Sequence, residues 1–493
     1  MNTDVIVIGG GIAGLTTAVG LAREGLTVQV LEKDVRLGGR AQSWVDRTTG
    51  DTIDLGPHIF VSEYPNFFAL LELLGTLDQV VWQERGLFVH LCEGQKAYPY
   101  RVSHQLPTPL QFMPSLLKDE RMTWLDTLSC TQATAYALQC TEEDLARLDE
   151  ENALPFLKRM GVRQGNIERY WAFAAMSIMN VPLEVCSAGA LLRLHRRLIG
   201  NNDFQVGFAS EGLLTLFGDQ SRRYVESRGG QVRTSTGVKR LLTDGERVTG
   251  VELDGGQQLT ARKVVAAVTP QVLRRLVPPA WLHRAPFDAL VRFLPCPYIS
   301  VYLWFDRKLT PLQFWARAFK PNDLNLDFYD LTNINPRWKG RPSLVASNII
   351  YSHRADGMSD QDLVDATRAE LAEYLPEAAE AKLTHAVVNR IPMAIHCPHP
   401  GTESARAQSS GAAPGLTLAG DWVQTGLPSS MESAARSGWL AAEAVLKEDG
   451  RPRTLGKDHS GLSGFAGLFE KGAGLMPHRV ARRVVQRALS KRS

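Results

Sequence analysis

Three glycines open the chain as Gly9-x-Gly11-x-x-Gly14, and this spacing is suited to binding a phosphate. The frame around them reads as strand–turn–helix–strand: residues 4–9 as a buried strand, 13–24 as a helix and 27–32 as a second strand. In that frame the first glycine permits a tight turn. The second lets backbone approach a pyrophosphate, and the third lets helix and strand pack closely. The helix N-terminus adds unpaired N–H groups. Glu32 ends the second strand, where a carboxylate takes ribose hydroxyls and disfavours a 2′-phosphate. FAD and NAD stay open, and NADP is set aside. Gly38-Gly39-Arg40 follows, suited to a second backbone approach with a bidentate guanidinium beside it.

Other clusters carry less. His396-Cys397-Pro398-His399 holds three metal-ligand side chains in four residues, but no second ligand pair stands at motif spacing, so a proline-stiffened loop and no metal are expected. No HExxH, GxSxG or P-loop is present. The six cysteines form no CxxC pair, which excludes a disulfide framework and points to a reducing cytoplasm. A balance of 55 basic against 52 acidic residues argues against nucleic acid as a partner. The uncharged run from Val5 to Ala22 is at the lower length limit for a membrane span and contains five glycines, so it is not read as one.

The chain of 493 residues allows two or three domains. Residues 67–77 read as a helix and 86–204 as a largely helical, apolar stretch. A helix over 212–228 precedes strands at 231–242, 247–253 and 258–268, with turns at Asp244-Gly245 and Asp254-Gly255. Strands at 298–305 and 343–350, a helix at 360–374, a strand at 416–420 and a helix at 428–447 follow. Residues 451–464 have linker composition, and 477–492 read as a basic amphipathic helix.

Gly9 to Gly14, Glu32 and Gly38-Gly39-Arg40, with Leu418-Ala419-Gly420-Asp421 and Pro428 to Ala434, resemble the FAD-dependent amine oxidase and carotenoid desaturase superfamily. The resemblance covers roughly residues 1–85, 205–280 and 410–447. It implies an α/β fold: a Rossmann-like FAD-binding domain of the glutathione-reductase/amine-oxidase type, assembled from 1–85, 205–290 and 405–450. An α+β substrate domain from 86–204 and 291–404 is interleaved with it, and 451–493 is a linker and tail. The implied cofactor is FAD. Its implied binding residues are Gly9, Gly11, Ile12, Ala13, Gly14, Glu32, Lys33, Gly38, Gly39, Arg40, Gly56, Pro57, His58, Val238, Gly420, Asp421, Ser430 and Met431. Val238 matches the position whose backbone meets adenine, Asp421 the one at the ribityl–pyrophosphate region, and Met431 the one whose backbone meets the flavin pyrimidine edge. Ser433 stands where the family usually has glycine.

Asp54-Leu-Gly56-Pro57-His58 through Asn66 is similar to plant- and cyanobacterial-type carotene desaturases. Leu106 to Leu110 and Asp421 to Pro428 look like bacterial hydroxysqualene dehydroxylases. The resemblance therefore implies a lipophilic isoprenoid substrate, hydride removal to flavin N5 and an electron acceptor to reoxidise the flavin. Dehydroxylation with His58 as the acid and amine oxidation stand as alternatives, as does prenyl binding without FAD, known for chaperones of the GDP-dissociation-inhibitor type. His58 is the one catalytic candidate; the plain reading beside it is a buried histidine bonded to backbone. An apolar substrate implies peripheral contact with the inner face of a membrane, through residues 106–125 and the basic tail.

Overall fold

The computed structural model describes residues 3–472 apart from residue 204. The basic helix expected at 477–492 lies outside the described residues.

Five short strands form a parallel sheet in the order Gln231–Arg233, Val28–Leu31, Val5–Ile8, Lys263–Ala266, Leu416–Leu418. The first strand of the chain sits at its centre because both its faces are apolar. Val5 and Val7 join the core beneath the helices Ile12–Arg23, Leu213–Glu226 and Met431–Glu448. Ile6 and Ile8 join the core on the opposite face. A run buried on both sides is the pattern of a covered parallel strand. The strand order reverses direction beside Val5–Ile8, which opens a crevice at the carboxyl ends.

The helices Ile12–Arg23 and Met431–Glu448 come from opposite ends of the chain and pack at backbone distance. A Cβ on Gly438 would stand 2.6 Å from Ala13 O, and Thr17 Oγ1 donates to Gly438 O at 3.1 Å.

The second layer system is a seven-stranded sheet in the order Leu383–His396, Pro295–Phe305, Leu344–Ile349, Asp327–Asp330, Phe314–Arg317, Leu87–Glu93, Lys96–Arg101. One face, with Ile299, Val301, Leu303, Val345 and Phe328, is closed by the helix Asp360–Tyr374. The other, with Tyr302, Trp304, Ala346, Tyr329, Val89 and Leu91, faces the interior.

Several expectations move. Residues 87–101, expected within a helical stretch, form a β-hairpin. Leu87, Val89 and Leu91 alternate with period two, and Gly94 takes the left-handed turn position (φ +55). The run 231–242 breaks at Ser235 (φ +50), so Gln231–Arg233 joins the parallel sheet and Val238–Asp244 an antiparallel meander. The run 258–268 divides likewise into Gln258–Thr260 and Lys263–Ala266. The long strand Leu383–His396 had no reading in sequence.

The segment read as a linker is pinned along its length. Leu455 N and Gly456 N donate to Glu443 Oε1 at 2.6 and 2.7 Å, Lys457 N donates to Asn66 Oδ1 at 2.8 Å, and Ser463 N donates to Gly200 O at 2.8 Å.

Candidate functional site

Two glycines of the opening motif are dictated by packing. Gly9 holds φ +104 with Ala267 O 2.4 Å from where a Cβ would be, and a Cβ on Gly14 would stand 1.9 Å from Gly9 O. Gly11 differs, because a Cβ there would meet nothing nearer than Gly38 O at 3.9 Å. The space in front of it is bounded by Gly38 and Gly39, both left-handed at φ +99 and +57. Gly11 gives the helix Ile12–Arg23 no side-chain cap, so the N–H groups of its first turn, at Ile12, Ala13 and Gly14, have no intrahelical acceptor. A side-chain-free concavity lined by N–H donors fits the pyrophosphate of FAD.

Glu32 is fixed at the strand end, its Oε2 accepting from Gly10 N at 2.6 Å and its Oε1 from Asp34 N at 2.8 Å. Lys33 beside it is exposed. Thr236 N donates to Glu32 O and Ser235 N to Asp34 O, which brings half-buried Val238 against the same loop.

Arg40 and Asp421 meet although 381 residues separate them. Arg40 Nη2 donates to Asp421 Oδ1 at 2.6 Å and Nη1 to Oδ2 at 3.1 Å, a bidentate pair, and Nη1 also donates to Ala394 O at 3.1 Å. Burial pushes the Asp421 carboxyl up, but the charges of Arg40 and His396 outweigh it and hold the carboxyl well below the usual range. The expectation placed Arg40 beside phosphate. Here its charge cancels that of Asp421, so a dianionic pyrophosphate can lie nearby without repulsion.

The helix Met431–Glu448 starts at the same place. Ser430 Oγ accepts from Ser433 N at 3.1 Å as its cap, and Met431 is its buried first residue. Gly420 has φ +140. Ser433, the departure from the family pattern, has its hydroxyl 2.7 Å from that of Thr425 and 3.3 Å from Asp421 O, so the extra oxygen is absorbed by the Asp421 loop.

Gly56-Pro57-His58 lies on the interior face of the seven-stranded sheet. One row of paired residues crosses it: Asn389, Ser300, Asn348, Asp327, Ala316, Leu91. Asn389 Nδ2 donates to Leu55 O at 3.1 Å, Asn348 Nδ2 to Pro57 O at 3.3 Å, and a Cβ on Gly56 would strike Ser300 Oγ at 2.6 Å. Tyr302 Oη, one pleat along, donates to Asp54 O at 2.8 Å. These holding residues were missed in sequence because they lie on separate strands, and only the strand register brings them together. His58 itself donates from Nδ1 to Gly56 O at 2.7 Å. Burial, opposed by that bond and aided by the charge of Arg40, keeps its pKa below the usual histidine value. The neutral ring then has its one proton committed to a carbonyl, and Nε2 is an acceptor.

Asp327 is buried in this row, accepting from Tyr329 Oη at 3.0 Å and from Asn348 N at 3.3 Å. Burial pushes its carboxyl up to about 7. A folded-state value above the unfolded one favours the protonated fold. The contribution is full below the ordinary carboxyl value and is lost as pH rises toward about 7. Asp327→Asn is therefore expected to gain stability over the wild type as pH rises from 4 to 8, by up to about 4 kcal/mol. Urea unfolding at both pH values checks this, and parallel curves for the two proteins would refute it.

His399 is held by backbone, with Nδ1 2.9 Å from Pro400 O and Nε2 2.8 Å from Arg292 O. Burial raises the Cys397 thiol to about 11. Among the described residues no group of three or more His, Cys, Asp or Glu stands ready for a metal.

An apolar cavity of about 500 Å³, counting its open mouth, lies farther along the same sheet face. Val89 and Leu91 form its floor, and Phe112, Leu116, Tyr170, Phe173, Ala174 and Leu198 are among its walls. The one charged side chain on the wall is Arg169, which donates to Glu93 at 3.0 Å.

Comparison with known proteins gives the family. The family model for flavin containing amine oxidoreductase matches residues 12–446. The 15-cis-phytoene desaturase of Solanum lycopersicum is 26% identical over 458 residues, covering 90% of this chain and 78% of that protein. The Synechococcus elongatus 15-cis-phytoene desaturase is 25% identical over 456 residues, covering 90% and 95%. Among solved structures, putrescine oxidase bound to putrescine superposes with TM-score 0.69 at 18% identity, covering 91% of this chain and 99% of that one. At that identity the likeness shows the fold alone. The chain thus belongs to the flavin-containing amine oxidoreductase family and is an FAD-dependent oxidoreductase.

Proposed function

We propose that the protein removes hydrogen from a long, apolar isoprenoid, a carotene-desaturase type of dehydrogenation. The observation that carries this is the shared sheet face. The row that holds Gly56 at Ser300 reaches the cavity floor at Leu91 four strands away. At about 4.8 Å per strand this is about 19 Å. A molecule seated in the cavity and reacting above Gly56-Pro57-His58 must be long. Phe88 and Phe173 of the cavity wall pack in the same cluster as Ile59, the neighbour of His58. The relatives named as phytoene desaturases support the same class.

When bound, the flavin supplies the acceptor for the two electrons removed. The chain's own residues do the rest. Asn348, Asn389 and Ser300 fix the segment carrying His58, and the apolar wall excludes water and orients the chain. His58 takes part as a hydrogen-bond acceptor. A dehydroxylation would ask it for a proton that it has committed to Gly56. A cationic amine would meet Arg169 rather than a carboxylate on the cavity wall.

Such a substrate is collected from a bilayer. Leu117 and Trp124 are 67% and 65% exposed, beside Leu110, Leu125 and Leu128, while Phe112 and Leu116 of the same stretch turn into the cavity. The helix Gly464–Gly472, with exposed Phe465 and Leu468, abuts this patch where Ala466 N donates to Thr108 O. Peripheral attachment at the inner face of a membrane follows from this reading; among the described residues no helix is long and apolar enough to cross one.

Purified yellow protein mixed with liposomes carrying phytoene is expected to float with the vesicles and to yield products lighter by pairs of hydrogens in lipid mass spectra. Flavin reduction by small amines with none by isoprenoids would overturn the proposal.

A further inference from the structure

One helical stretch supplies a whole side of the apolar cavity. Arg169, Phe173 and Ser177 recur every fourth residue, as do Tyr170, Ala174 and Ile178, and all of them line the cavity. At 3.6 residues per turn an α-helix would swing such a repeat off line. Two π-helical turns, Ile167–Trp171 and Ala175–Met179, widen the spiral and keep the repeat against the cavity. The stretch also has a direction. Met176, near its end, packs with Tyr298 and Ile350, on or just after the strands that hold Gly56. Arg169, near its start, reaches Glu93 on the far strand Leu87–Glu93.

Arg169 thus marks the end of the cavity remote from Gly56-Pro57-His58. Val89, Leu91 and Glu93 alternate along one face of their strand, so the floor passes from two apolar side chains to a carboxylate. Arg169 Nη1 donates to Glu93 Oε2 at 3.0 Å, and Arg121 Nη1 stands 3.7 Å from the same oxygen. Arg121 is itself held by Asp119, its Nε donating to Oδ1 at 2.7 Å. Glu93 also borders a second, polar hollow of about 240 Å³, counting its open mouth, together with Lys320 and Glu373. The Arg169–Glu93 pair therefore stands between an apolar space and a polar one. Both side chains are 28% exposed, so the pair keeps part of its hydration. An apolar chain end pushing past it would strip water from two charges and return no hydrogen bond.

Resting on the isoprenoid reading above, we infer that Arg169, braced by Glu93, is a specificity-determining residue. It is the end stop against which an apolar chain is measured, and so it sets which carbons lie above Gly56-Pro57-His58.

Phytoene, and phytoene lengthened by one isoprene unit at each end, are offered in liposomes to the holoenzyme. For each, kcat/KM and the position of the new double bond are read. The wild type is expected to discriminate against the longer chain about tenfold and to place the double bond at one position. Arg169→Ala is expected to erase most of that discrimination and to give mixed positions, and Glu93→Ala to do the same from the other side of the pair. Arg169→Lys keeps a cation against Glu93 and is expected to retain the wild-type pattern. Flavin content and melting points are measured alongside, and Glu93 keeps Arg121 as a partner when Arg169 is removed. A wild type that turns over neither hydrocarbon would remove the isoprenoid reading and this inference with it. A wild type that treats both lengths alike, or alanine variants that discriminate as the wild type does, would remove this inference alone.

Discussion

Arg40→Ala is expected to yield colourless protein that is about 3–5 kcal/mol less stable than the wild type. Asp421 has a side chain only 4% exposed, and Arg40 supplies both of its charge-assisted hydrogen bonds. Removing the guanidinium leaves a buried carboxylate opposed only by His396 at 3.5 Å. Asp421→Asn is expected to cost less, because the guanidinium it strands is 32% exposed and water can solvate it. The double variant Arg40→Ala/Asp421→Asn should recover stability over Arg40→Ala, since no buried charge remains unpaired, yet stay low in flavin. Urea unfolding and the ratio of flavin to protein absorbance check both parts. A double variant no more stable than Arg40→Ala would show that the pair is not what holds the two ends of the chain together.

The second large effect concerns the cavity. Ala174 is buried on its wall, and enlarging this side chain fills space without touching the glycine cradle. Ala174→Leu and then Ala174→Trp are expected to reduce turnover of a long isoprenoid in that order, with the tryptophan variant slower by about 100-fold. Flavin content and reduction by dithionite should stay at wild-type values. Overpacking costs about 1–3 kcal/mol, so melting points accompany the rates. Wild-type turnover by a folded Ala174→Trp would mean that the substrate lies elsewhere.

The cofactor half of the site was readable in the chain because its signals are local. Gly9 to Gly14 and Glu32 lie within one strand–helix–strand unit, and glycine at a tight approach has no substitute. Asp421 followed from a short motif with a strand before it and a helix after it. The pairing of Arg40 with Asp421 was not readable, since the sequence gives no distance between positions 381 residues apart. The row Asn389, Ser300, Asn348, Asp327 was hidden for a related reason. The four residues lie on four strands far apart in the chain, and only the register shows that they align. The hairpin at 87–101 is hidden by an apolar composition that suits helix and strand alike, and only the period of two at Leu87, Val89 and Leu91 marks it as strand. The pinned segment after Asp449 looked like a linker because its small and polar residues bond through backbone, which composition does not show.

The central strand Val5–Ile8 is made well before its sheet neighbour Lys263–Ala266, the edge strand Leu416–Leu418 and the helix packed through Gly438. During synthesis the growing chain therefore has a half-built sheet with an open edge, and the Arg40 guanidinium has no carboxylate to meet. A flavin site that needs both Arg40 and the helix Met431–Glu448 is complete only after that helix has emerged. Expression hosts with too little chaperone to shield that edge should accumulate aggregated chains in place of soluble protein.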